Sequence, residues 1–153
     1  MQDVNVVVVF ESRGEGIERL ALGVAVGAVQ GRANIRLRCL HNTANDMEYV
    51  APRDADAEWA DAIVAVTTAD SAANGLARYI DSLAALREGG RPEGKVGAVF
   101  TEGTGAASLH AAMNRAGLTT IELLPGPDAP AAARLQGRRV ADAARSLRGG
   151  RGA

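Results

Sequence analysis

The chain begins its pattern with an apolar run, Val4–Phe10 ("VNVVVVF"), rich in β-branched valine. A run without polar alternation is covered on both faces, so it predicts a central strand of a parallel sheet. Ile17, Leu20, Ala21, Val24, Ala25 and Ala28 then recur at helical spacing, and Gly31 supplies the stop. Ile35, Leu37 and Cys39 alternate with Arg36 and Arg38, which predicts an edge-like strand with one solvated face. Asn42–Asp56 is polar, contains Pro52 and reads as a loop. Ala62–Val66 is a second buried strand, Leu76 to Leu86 a helix, "EGGRPEGK" a connecting loop and Val96–Thr101 a third buried strand. A short helix near Leu109–Ala116 ends at Gly117, and Thr119–Leu124 is a last strand. Asp128 caps a final helix that carries Ala132, Leu135, Val140, Ala144 and Leu147.

Strands and helices alternate without an internal repeat. This predicts an α/β fold, a doubly wound five-stranded parallel sheet in order 2-1-3-4-5 with helices on both faces. One domain spans residues 1–148, and the tail "GGRGA" at 149–153 reads as disordered. Such sheets take ligands beyond the carboxyl ends of their strands, at the topological switch point. Three segments therefore carry the candidate chemistry: Glu11–Gly16, Thr67–Gly75 and Thr101–Ser108.

Composition narrows the function classes. The 153 residues suit one sizeable core, and 47% hydrophobic with 23% charged is ordinary for a soluble domain. A net charge of −1 argues against general binding to nucleic acid or anionic membrane. No apolar run approaches a membrane span and no secretory leader is evident, so a cytoplasmic setting is the expectation. Cys39 is the only cysteine, which excludes a disulfide framework or a cysteine metal cluster, and no metal site is expected. A single lysine, Lys95, against many arginines and abundant alanine and glycine reads as the codon bias of a GC-rich, bacterial genome. The aromatics are Phe10, Tyr49, Trp59, Tyr79 and Phe100, 3% of the chain.

In the first loop, Ser12, Gly14 and Gly16 permit a tight turn into a helix whose first N–H groups lack partners, a ready place for an anion. Arg13 is the local positive charge. "SRGEG" matches neither the P-loop nor the three-glycine dinucleotide pattern, and by spacing alone it reads equally as a capped turn with no ligand. The second loop opens on Thr67 and Thr68 and continues through Ala69, Asp70 and Ser71; its hydroxyls can meet a ligand or its own backbone. In the third loop Thr101, Gly103, Thr104 and Gly105 let the backbone approach a flat ligand closely, and Ser108 is the expected N-cap of the next helix.

Taken in order, these segments resemble the flavodoxin superfamily, particularly its NAD(P)H:quinone oxidoreductase branch. "ESRGEGIERLALGVAVGA" resembles the opening of that family, "WADAIVAVTTAD", "RYIDSL" and "GKVGAVFTEGTG" its middle, and "LQGRRVADAARSL" its closing helix. The resemblance implies that the three loops hold flavin mononucleotide (FMN), the first around the phosphate and the others beside the ring. By position, Ser12 matches the loop-opening hydroxyl residue, Ile17 and Glu18 the start of the helix, Thr67 a second-loop threonine, and Thr104–Gly105 the third-loop pair. It further implies electron transfer from NAD(P)H to a quinone-like small molecule, with homo-oligomerisation left open.

The sequence also departs from that pattern. Glu15 stands where the family carries glycine, and Ala69 and Asp70 replace a proline and an aromatic. Two like charges about 4 Å apart at an effective dielectric of roughly 20 repel by about 4 kcal/mol. Either Glu15 turns away from a phosphate, or its carboxylate takes the anion position at the helix N-terminus, a favourable placement of about 0.3–1 kcal/mol. The second case points to a flavin-free enzyme doing acid/base chemistry on a small organic substrate. Its candidate groups are Glu11, Glu15, Asp70, Glu102 and His110, because clustered carboxylates raise one another's pKa. A non-catalytic partner protein on the same scaffold is the third reading. His41 reads as a loop residue.

Overall fold

The structure is a computed structural model, and it describes residues 3–10, 15–40, 50–67, 74–87, 95–101, 106–122 and 129–152. The strands are β1 (Val4–Phe10), β2 (Ala33–Cys39), β3 (Ala62–Thr67), β4 (Val96–Thr101) and β5 (Thr119–Glu122). All neighbours are parallel and the order is β2-β1-β3-β4-β5, as the sequence predicts. The helices are α1 (Glu15–Gln30), α2 (Asp54–Trp59), α3 (Asn74–Arg87), α4 (Ala106–Arg115) and α5 (Ala129–Gly152).

Strand periodicity divides the core in two. Val4, Val6, Val8 and Phe10 of β1 share a core with Val64, Val66, Ala98 and Phe100, closed by α1 and α5. Val7 and Val9 face the other way, with Ile63, Ala65 and Val99, under α2, α3 and α4. The continuous valine run thus serves both cores, which is why it shows no polar alternation.

On the first face, α1 and α5 touch backbone to backbone. A Cβ on Gly27 would lie 1.9 Å from the Arg134 carbonyl oxygen, and one on Gly137 would lie 2.1 Å from that of Val24. Each helix therefore presents glycine where the other's main chain passes.

The second face corrects the reading of β2. It is an edge strand, but the side bearing Arg36 and Arg38 is not simply solvated. α2, which begins inside the segment read as a loop, lays Asp56 over it at 3% exposure. Arg36 Nη1 donates to that carboxylate at 3.0 Å, Arg38 through Nε at 2.9 Å and Nη2 at 3.1 Å, and the Arg53 backbone N–H at 2.9 Å. Burial acts to raise the Asp56 carboxyl, but the Arg38, Arg53 and Arg36 hydrogen bonds outweigh it and hold the group below the usual carboxylate range. Arg36 also lies 4.2 Å over the Trp59 ring.

The amino end of the sheet is tied by polar contacts. Asn5 N–H donates to Asp61 Oδ2 at 2.8 Å, Asn5 Nδ2 to the Trp59 carbonyl at 3.1 Å, and Lys95 Nζ to the carbonyls of Glu58 and Ala60. α5 runs on through Gly152, so helix covers 149–152 where the sequence reads as tail. Leu147 packs against the first core, which gives the last turns of the helix an anchor.

Candidate functional site

The register of the inner strands levels their carboxyl ends. Phe10 is paired with Val66, and Thr67 with Thr101, so three loops leave one edge of the sheet side by side. The chain winds in opposite senses from here: α1 packs on one face after β1, and α3 on the other after β3. The crevice where these directions part is where a doubly wound sheet takes a ligand.

Of the residues the sequence assigns to this crevice, Glu11, Ser12, Arg13, Gly14, Thr68, Ala69, Asp70, Glu102, Gly103, Thr104 and Gly105 lie outside the described residues. Thr67 and Thr101 close β3 and β4. Glu15 and Gly16 are the first two residues of α1, which starts directly after the first loop. The N–H groups of this first turn have no intrahelical acceptor, and the helix dipole places partial positive charge there. Ile17 is 5% exposed and sits in the first core, so it anchors the turn and offers the crevice only its backbone N–H.

Two assignments near the crevice shift. α4 begins at Ala106, so Ser108 is inside the helix and not its N-cap. α5 begins at Ala129, and Asp128, its expected cap, lies outside the described residues.

The aromatic side chains among the described residues are committed elsewhere. Phe10 and Phe100 are fully buried in the first core. Trp59 is held at the amino end of the sheet, as its place before β3 suggests. Tyr79 packs against the second core with its hydroxyl buried and no hydrogen-bond partner among the described residues. Burial pushes that phenol well above its ordinary range, and the Asp56 and Asp54 carboxylates push it further. Tyr49 lies outside the described residues.

His110 stands in the first half of α4, the half nearest the third loop, and is partly buried. Its Nε2 is buried with no hydrogen-bond partner among the described residues. Those residues contain no group of three or more side chains able to hold a metal ion, and no helix long and apolar enough to cross a membrane.

What sequence reasoning missed is the Asp56 cluster. Its signal is present in the sequence: two arginines two apart on an edge strand, and an acidic stretch, "DADAEW", before the next strand.

No family model matches the chain, and no curated protein matches it either. Solved structures do. The chain superposes on a WrbA-like flavodoxin protein from Agrobacterium tumefaciens with a TM-score of 0.69 at 22% identity, covering 94% of this chain and 99% of that one. A flavodoxin from the domain Archaea gives 0.69 at 16% identity, with coverage of 92% and 99%. A flavone reductase gives 0.61 at 17%, covering 94% of this chain and 64% of the other.

Proposed function

Because the chain has a flavodoxin-like fold, we propose that it binds FMN in the crevice at the carboxyl edge and passes electrons from NAD(P)H to a quinone-like small molecule. The observation that carries this reading is the start of α1 at Glu15, next to the levelled ends of β1, β3 and β4. The chain's own groups suit the phosphate end of such a cofactor. The N–H groups of Glu15, Gly16 and Ile17, which have no intrahelical acceptor, are anion donors, with Ser12 and Arg13 the preceding residues. Thr67, Thr68, Thr101 and the Gly103–Gly105 backbone are the groups for the ring. Bound flavin supplies the redox chemistry, and the protein supplies position and field. The neighbours named as a flavone reductase and a WrbA-like flavodoxin are consistent with that class of reaction.

His110 favours a second reading. A partly buried imidazole whose Nε2 has no partner among the described residues is a candidate general acid/base, with Glu11, Glu15, Asp70 and Glu102 the carboxylates of the same reading. On this reading the enzyme is flavin-free.

Colour and titration separate the two. Purified protein is expected to carry flavin absorbance or to quench FMN fluorescence saturably. Glu15→Gly is expected to tighten FMN by about tenfold at low ionic strength, equivalent to about 1.4 kcal/mol, with the gap closing as salt rises. NAD(P)H oxidation with a soluble quinone then tests the electron path. A colourless protein that FMN does not titrate would leave the acid/base reading standing.

A further inference from the structure

A second site lies at the opposite end of the sheet. The Gly31–Arg32 turn, which joins α1 to β2, and the middle turns of α5 (138–146) flank an open groove of about 490 Å³. Arg32 and Gln30 line it from the turn, and Arg138, Asp142, Arg145 and Ser146 from one stripe of α5. We propose that this groove binds a small multivalent anion bearing phosphate groups.

Charge is the first argument. Among the described lining residues three guanidinium groups stand with one carboxylate, in a chain whose overall charge is −1. Arginine forks match the planar spacing of phosphate oxygens, and the Ser146 hydroxyl and Gln30 amide add neutral donors.

Preorganisation is the second. Arg145 donates from Nη2 to the Gly31 carbonyl at 2.7 Å and from Nη1 to Asp142 at 3.3 Å. One arginine thereby ties the turn to α5 and engages the only carboxylate among the described lining residues. Arg32 adopts φ 67°, the left-handed region that glycine and asparagine fill far more readily than arginine. The turn thus holds a cationic residue in the groove lining in a backbone conformation that arginine does not itself favour.

The groove is remote from the crevice at the carboxyl edge. α1 spans the gap with 16 residues, roughly 24 Å at the helical rise. The proposal therefore stands whether or not flavin is bound.

The test titrates the full chain with inorganic pyrophosphate, at ionic strength held constant with chloride, while backbone amide resonances are followed by NMR. Saturable shifts are expected at Gly31, Arg32 and Ser146, with Gly16 and Ile17 unmoved. Arg138→Gln and Arg32→Asn are each expected to weaken binding by roughly tenfold, since each removes one charge. Asparagine keeps the left-handed turn, so that variant separates charge from backbone strain. Shifts confined to Gly16 and Ile17 would overturn the proposal, as would non-saturable shifts or parental affinity in both variants.

Discussion

The two faces of the sheet are sealed in different ways. On the face of α1 and α5 the seal is steric: Gly27 and Gly137 let two backbones meet, and the layer behind them is mostly valine and alanine. On the face of α2, α3 and α4 the cover over the β2 edge is a six-residue helix, too short to hold by propensity. It is fastened by one buried carboxylate with four donors from Arg36, Arg38 and Arg53. Long helices with room for close contact rely on shape. A short helix at an open edge relies on satisfied charge, which is strong only while every partner is present.

Breaking the steric seal should cost most. Gly27→Ala puts a methyl 1.9 Å from a main-chain oxygen that no rotamer change can move. The helices must separate by roughly 1.5 Å to restore van der Waals contact. The expected loss is about 3 kcal/mol, the upper end for overpacking, even after the helix-propensity gain of about 1 kcal/mol. Urea denaturation would measure it, and a loss under about 1 kcal/mol would show that the helices part easily.

Removing the charge seal should cost less. Asp56→Ala strands Arg36 and Arg38, but their side chains are 36% and 20% exposed and reach water. About 2 kcal/mol is expected, below the range for a fully buried pair. Acid should reproduce part of it. Because the folded carboxyl titrates below its unfolded value, its stabilising effect is complete above about pH 4 and fades as pH falls through the folded value. Asp56→Asn should therefore lose less stability than the parent between about pH 4 and pH 2. Parallel acid profiles for the two proteins would assign the acid loss to other groups.

The smallest effect is expected at Tyr79, on the same face. Its hydroxyl is buried without a partner among the described residues, so Tyr79→Phe should be neutral or stabilising by up to about 1 kcal/mol at neutral pH. The folded phenol titrates above its unfolded value, so the parent loses stability as pH rises past about 10 and Tyr79→Phe does not. A clear destabilisation at pH 7 would mean that the hydroxyl has found a partner.

By itself the sequence determined the strand order, the central position of Val4–Phe10 and the edge position of β2. These follow from local periodicity and from the right-handed crossover, both of which act within or between neighbouring segments. It also marked Trp59 as belonging to the amino end of the sheet. Tertiary structure alone decided that the Arg36 and Arg38 side of β2 is covered, because only folding brings Asp56 across from residues read as loop. The pairing of Gly27 with Gly137 was likewise invisible: a glycine in a helix reads as a weak point until a second helix passes against it. The arginine groove joins a turn near residue 31 to a helix more than a hundred residues later. No pattern within either segment reports that meeting, because periodicity describes which face of an element is buried and not what that face finally touches.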